Sequence, residues 1–168
     1  MVVRRVGNCY VVDNYGPVSF SVSSNIAGVF VTYTVLLSGT LFVYNLGNKI
    51  GSIYVWLTFA YALTTAALLL LLAVLDPGII IYSSAVSNDY ANCSFSSYCD
   101  VCGISQPQLA AHCVLCDCCV EEYHHHCPWL GKCIGRKNKR IFFLFNCVWI
   151  TYVFYGIFII SASVYVGN

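Results

Sequence analysis

Charge is what this chain has least of. Lys, Arg, Asp and Glu together make up 9% of its 168 residues, while 59% are hydrophobic and the mean hydropathy is +0.74. So few polar groups cannot cover a soluble domain of this size, which excludes the ordinary globular class. Formal charge is missing altogether from three runs, Ile26 to Leu46 (21 residues), Ile53 to Leu75 (23) and Ile141 to Val166 (26). Each reaches the ~20 residues that cross a hydrocarbon core as a helix. Strict alternation is lacking too, as "TTAALLLLLAVL" illustrates, so membrane barrel strands are excluded. The segment Met1 to Asn25 holds Arg4 and Arg5 but no compact apolar core before a small-residue cleavage site. No cleavable signal peptide is expected, and the first span serves as its own insertion signal. There is no repeat and no low-complexity tract. The net charge of +1 identifies no partner by itself, and no nucleic-acid partner is expected.

The few basic residues are informative by placement. Of the eight Lys and Arg, only Lys49 lies between the first two runs; Arg4 and Arg5 precede them, and Lys132, Arg136, Lys137, Lys139 and Arg140 crowd the start of the third. The positive-inside rule then predicts a cytosolic N-terminus and a cytosolic loop from Asp76 to Arg140. The expected fold is an all-α polytopic membrane protein with a metal-stapled, cysteine-rich domain between its second and third helices. Its expected divisions are a cytosolic arm (1–25), transmembrane helices at 26–46 and 53–75, an exit and linker at 76–98, the cysteine-rich domain at 99–140 and a last transmembrane helix at 141–166. "DPG" at Asp76 to Gly78 ends the second helix, because proline disfavours helix at the residue before it. The sequon Asn92-Cys93-Ser94, in the linker, is accidental on a cytosolic loop.

Eight of the eleven cysteines fall between Cys99 and Cys133, on a loop assigned to the reducing side of the membrane. Metal explains them better than disulfides. Cys99-x2-Cys102 and Cys113-x2-Cys116-x2-Cys119, followed by Cys133 and interleaved with His112 and His126, give six thiolates and two imidazoles. Eight ligands fill two four-ligand sites, although spacing alone does not say which ligands share an ion. The loop has too few large aliphatic residues for a core, so zinc would act as the core. Left over are Cys118 and the stretch "HHHCPW", in which Cys127 reads either as a nucleophile or as a further ligand. Cys118 reads as a spare thiol or a self-acylation site, Cys9 as a free thiol and Cys147 as a packing residue of the third span.

At this point the residues resemble a known family. The pattern Cys99-x2-Cys102-x9-His112-Cys113-x2-Cys116-x2-Cys119-x4-His124-His125-His126-Cys127-x5-Cys133-x4-Asn138-x3-Phe142 is similar to the cysteine-rich domain of the DHHC-type protein S-acyltransferases (palmitoyltransferases), agreeing at twelve of thirteen positions. The resemblance implies one zinc held by Cys99, Cys102, His112 and Cys119 and a second by Cys113, Cys116, His126 and Cys133. It implies Cys127 as the nucleophile that takes an acyl group from acyl-coenzyme A, His125 as its base and His124 as the base's partner. The products would be acylated cysteines of membrane-associated client proteins, in the endoplasmic reticulum, Golgi or plasma membrane. Trp129, Arg136, Lys137, Asn138 and Tyr152 are candidate substrate-binding residues. The basic run Arg136 to Arg140 reads first as an orientation anchor that snorkels to membrane lipid headgroups, and alternatively as cations that also meet the phosphates of coenzyme A; Tyr152 would line the acyl site between the spans, or simply pack there.

Two departures from the family bear on activity. His124 stands where the family has aspartate, so the base loses an anionic partner unless Glu121 or Glu122 supplies one. The chain also has three spans where the family has four, which implies a truncated product or a further subunit, and leaves homo- or hetero-oligomers open. "QPQLAAHC" lacks an arginine common before His112, and Gly131 and Lys132 stand where asparagines are common. The alternatives to an enzyme are a catalytically impaired, zinc-bearing adaptor of the same family and an unrelated membrane-tethered zinc finger.

Overall fold

The computed structural model describes residues 2–13, 19–23, 26–81 and 95–167; the sequon and the linker residues 82–94 lie outside the described residues. Three helices dominate: α1 (Ala27–Ile50), α2 (Ser52–Val74) and α3 (Lys139–Gly167). All three are long and apolar enough to cross a membrane. Their ends overrun the apolar runs, α1 to Ile50 and α3 back to Lys139, because a helix continues through polar residues such as Lys49 that reach the interface. α1 and α2 form a tight hairpin through Gly51, with the space at Gly47 filled by Tyr54, whose Cβ would sit 3.5 Å from an added methyl. Val74 is the last residue of α2, and Leu75 is already extended (ψ 133°), one residue ahead of Asp76, which the proline after it disfavours from helix.

The helices pack as a three-membered bundle tied by side-chain hydroxyls. Tyr33 donates to Ala66 O (2.9 Å) between α1 and α2, Tyr155 to Tyr54 O (2.6 Å) between α2 and α3, and Tyr152 to Thr40 Oγ1 (2.9 Å) between α3 and α1. Between apolar helices in lipid such bonds supply the association that the hydrophobic effect does not. Cys147, expected to pack, instead faces away from the bundle.

The expectation of an all-α chain is corrected by nine short strands among the described residues. β1 (Val2–Val6), β2 (Cys9–Asp13) and β3 (Phe20–Ser23) form an antiparallel sheet in the order β1-β2-β3. β4 (Phe95–Cys99) pairs with β5 (Ile104–Pro107), β6 (Ala111–Cys113) with β7 (Cys118–Val120), and β8 (His125–Cys127) with β9 (Lys132–Ile134). For β4 to β7 the physical reason is the ligand spacing. A Cys-x2-Cys turn that aims two thiolates at one point is a hairpin turn, and its flanks pair as strands. The first residues are likewise no free arm. Asn8 N donates to Cys116 O (2.8 Å) and its side chain to Leu115 O (3.2 Å), so the β1–β2 turn sits on the β6–β7 turn. Gly7, at φ +54°, makes this possible, since a Cβ there would lie 2.0 Å from Asp117 O. Cys9 is buried in the same contact, beside Cys116 and Cys118.

Asp76 is the knot where helices and strands meet. One carboxylate oxygen accepts from Gly78 N (3.1 Å) and Ile79 N (3.0 Å), the other from Ser19 Oγ (2.6 Å) and Lys137 Nζ (3.0 Å). Burial pushes its pKa up, but the Lys137 charge and the bonds from Ser19 and Ile79 outweigh it and hold the carboxyl below its ordinary 3.8. A depressed carboxyl stabilises the fold above its unfolded value, and that contribution is lost as the pH falls through the folded one. Asp76→Asn is therefore expected to cost about 2 kcal/mol near pH 7. Melting of parent and variant in detergent is expected to differ most at neutral pH and to converge only as the pH falls below 3.8 and through the lower folded value.

Candidate metal centres and the cavity beside them

Strand geometry decides which side chains can meet. Successive residues of a strand face opposite sides, and residues directly opposite on a paired strand face the same side. In the β6–β7 hairpin His112 pairs with Cys119 and Cys113 with Cys118. Neighbours in sequence are thereby sent to different clusters. His112 and Cys119 join Cys99 and Cys102 from the β4–β5 hairpin, and Cys113 joins Cys116, His126 and Cys133, with the ligand atoms of each group within 4.8 Å of one another.

Both groups fit a tetrahedral ion. Zinc bonds of about 2.3 Å to sulfur and 2.0–2.1 Å to nitrogen imply edges of about 3.6–3.8 Å. Observed edges to His126 Nδ1 are 3.6 Å from Cys113, 3.3 Å from Cys116 and 3.8 Å from Cys133; those to His112 Nδ1 are 3.3 Å from Cys102 and 3.9 Å from Cys119. Both turns also donate a backbone N–H to the first sulfur, Cys102 N to Cys99 Sγ and Cys116 N to Cys113 Sγ, at 3.4 Å each. The buried Gln106 donates to Cys119 Sγ (3.3 Å), and Asp117 lies 3.9 Å from His112 Nε2, as an outer carboxylate does behind a metal-bound imidazole. Cys118 shares a face with Cys113 and is buried, which leaves it no access to an acyl donor.

The β8–β9 hairpin divides in the same way. His126 and its partner Cys133 face the second cluster. His125, Cys127, Lys132 and Ile134 form the opposite face, and Cys127 and Ile134 pack there with Leu69 and Leu72 of α2. Cys127 and His125 line one cavity of about 550 Å³ with Trp129, Leu130, Phe142, Phe145 and Trp149. Thr32, Val35 and Leu69 complete its wall from α1 and α2, a contribution invisible in the cysteine motif because it comes from distant, featureless apolar runs. α1 reaches the site closely: a Cβ on Gly28 would lie 1.9 Å from Pro128 O, and Thr32 Oγ1 donates to Trp129 O (3.1 Å). A narrower space of about 120 Å³ shares Val35 and Trp149 with this cavity and is bounded by Thr40 and Tyr152.

Electrostatics at the cavity mouth are unusual. His124 Nδ1 and His125 Nδ1 are 2.7 Å apart, so one imidazole donates to the other. Burial, and then the neighbouring imidazoles of His124 and His126, pulls His125 below its ordinary pKa. Burial raises the Cys127 thiol, an effect opposed by the N–H groups of Leu130 and Trp129. The suggested anion for His124 is otherwise engaged: Glu121 pairs with Arg136 (3.2 Å), and Glu122 pairs with Lys139 and Arg136.

The remaining substrate-binding candidates divide. Trp129 is in the cavity wall and Tyr152 in that of the adjoining space. Lys137 is held by Ser19 and Asp76, and Arg136 by Glu121. Asn138 is fully buried and closes the turn into α3, accepting from Gly135 N (2.9 Å) and donating to Cys133 O (3.1 Å). Its position is structural, away from the cavity.

Residues 92–167 match the family model described as DHHC palmitoyltransferase. Over 48 residues the chain is 54% identical to palmitoyltransferase ZDHHC14 of Mus musculus and to probable protein S-acyltransferase 5 of Arabidopsis thaliana, covering 29% of this chain and 10% of each relative. Palmitoyltransferase ZDHHC9 of Bos taurus is also 54% identical over 48 residues, covering 29% of this chain and 13% of the relative. The matched stretch thus spans roughly a tenth of the length of these relatives.

Because each cluster draws on separate hairpins plus the shared β6–β7, single ligand losses are separable. Cys99→Ser and His126→Ala are each expected to lower bound divalent metal by one equivalent per chain, measured by elemental analysis, and the double variant to abolish it. Loss of both ions from either single variant would contradict two independent centres.

Proposed function

Residues 92–167 are a domain of the DHHC palmitoyltransferase family, and from that premise we propose that the chain transfers a long-chain acyl group from acyl-coenzyme A, through a thioester on Cys127, to cysteines of membrane-associated proteins. The observation that carries this reading is the shared face of β8. It turns Cys127 and His125 together into an apolar cavity while the residue between them, His126, turns to the metal cluster. We take the ions to be zinc, held by Cys99, Cys102, His112 and Cys119 and by Cys113, Cys116, His126 and Cys133. When bound, they supply rigidity to the three hairpins.

The chain's own residues then account for the chemistry. With His125 Nδ1–H donated to His124 Nδ1, the Nε2 lone pair of His125 is free to take the proton of the Cys127 thiol. The Cys127 sulfur attacks the thioester carbonyl carbon, the bond to the coenzyme A sulfur breaks, and that sulfur leaves with the proton from His125. In the second half an acceptor thiol gives its proton to His125 and attacks the acyl carbon, and the Cys127 sulfur leaves, taking that proton back from His125. The acyl chain runs between α1 and α3 towards the Tyr152–Thr40 hydrogen bond. From Phe142, whose ring meets that of His125 at 5.3 Å, to Tyr152 is ten residues of helix, about 15 Å. That depth is of the order of a long acyl chain, and palmitoyl is the chain we propose. Trp129 lines its mouth. Residues 99–140 form the catalytic module on the cytosolic side, in accord with the basic residues around it.

His124 orients the base but brings no fixed negative charge to stabilise the imidazolium, which favours slow turnover and supports a second reading, a catalytically silent, zinc-bearing adaptor. Mass spectrometry separates the two. Purified protein given palmitoyl-coenzyme A is expected to carry a hydroxylamine-labile adduct on Cys127, absent in Cys127→Ala. His124→Asp is expected to speed its formation by about 10²-fold. No adduct in either the parent or His124→Asp, with both ions bound, would leave the adaptor standing.

A further inference from the structure

Lys132 is the one lysine on the α2-facing side of the β8–β9 hairpin, and it is 1% exposed. A buried ammonium needs three acceptors, and this one has them. Nζ donates to Leu75 O (2.6 Å) and Ala73 O (3.2 Å) at the end of α2 and to Ser21 O (2.7 Å) in β3. Ala73 and Leu75 are carbonyls that the end of a helix leaves without helical partners, at the terminus whose dipole favours a cation. In the strand register Lys132 lies directly opposite Cys127. One side chain therefore fastens the backbone that carries Cys127 to the end of a membrane-spanning helix and, through β3, to the N-terminal sheet.

We propose that Lys132 is a positioning residue that sets the depth at which Cys127 meets the acyl cavity. The assignment rests on the acyltransferase reading above. Metal ligation holds the opposite face of the hairpin, through His126 and Cys133, but neither ligand reaches α2. The hairpin has hydrophobic contacts with Leu69 and Leu72, which are non-directional and tolerate sliding along the helix. The three carbonyls are directional and fixed to the helix end. Without them the sulfur keeps its metal-braced loop and loses its register against the Tyr152–Thr40 end of the cavity.

The test uses 2-bromoalkanoic acids, which the Cys127 sulfur attacks at the α-carbon, forming a thioether and expelling bromide. This needs neither coenzyme A nor turnover. The full chain in nanodiscs is treated with the eight-carbon and sixteen-carbon acids, and alkylation of Cys127 is followed by site-resolved mass spectrometry, with iodoacetamide as a chain-free control. The parent is expected to react faster with the longer acid. Lys132→Met, similar in size but without donors, is expected to keep two metal equivalents, to change less than twofold with iodoacetamide and to lose at least fivefold of the long-to-short rate ratio. Lys132→Gln, which retains some donation, is expected to fall between. An unchanged ratio in a metal-loaded Lys132→Met overturns the assignment. If that variant loses metal, Lys132→Gln decides by the same ratio, and metal loss in both overturns it as well, since Lys132 would then hold the module together rather than place its cysteine. A parent with no chain-length preference instead removes the acyl-cavity reading on which the assignment stands.

Discussion

In a strand, neighbouring side chains leave the backbone on opposite faces, and that alternation sorts every functional group of this protein. Within His125-His126-Cys127 it gives the middle residue to a metal cluster and the outer two to a cavity among membrane helices. Within His112-Cys113 it gives one residue to each cluster. A slip of one position in β8 would send the proposed nucleophile to the metal and the ligand to the lipid side. A metal ion held by these clusters would resist such a slip, because its ligands converge in one register only. The two ligand clusters thereby leave Cys127 outside them although its neighbour His126 belongs to one.

The second demand is to join this small polar module to helices embedded in lipid. The junction is built from charged groups used as buried hydrogen-bonding posts. Asp76 gathers two backbone N–H groups, a serine and a lysine, and Lys132 gathers three carbonyls. Both are almost wholly buried, and each finds a full set of partners. Partial satisfaction would be costly at such depth, which makes the junction stiff rather than merely cohesive. Ion pairs further out, Glu121 with Arg136 and Glu122 with Lys139, are exposed on their basic side and contribute much less.

Much of this was legible in the residues, and the gaps have physical causes. Uncharged runs of more than twenty residues identify the helices because little else tolerates such composition. The ligand spacing foretold two clusters. The short strands escaped, since three-residue strands of cysteine and histidine show no hydrophobic period. The N-terminal sheet did leave a trace: "VVRRVGNCYVVD" sets two β-branched runs around Gly7-Asn8, a two-residue hairpin signal that the reading as a polar arm passed over. Lys132 left a fainter one, a lysine where asparagine is common, and only the acceptors around it give that substitution meaning. For the basic run at Arg136 to Arg140, sequence does not display which carboxylates fold back onto it: Glu121 on Arg136, Asp76 on Lys137 and Glu122 on Lys139.

The docking of the β1–β2 turn on the β6–β7 turn joins positions 107 residues apart in the chain. On a ribosome the sheet emerges well before its berth, which follows only after the two helices of the α1–α2 hairpin. Asn8 and Gly7 therefore wait, exposed, for a surface that does not yet exist, and the contact they finally make reports that the helical hairpin was inserted with both of its ends on one side. A chain threaded with the opposite parity has no means of closing that seam.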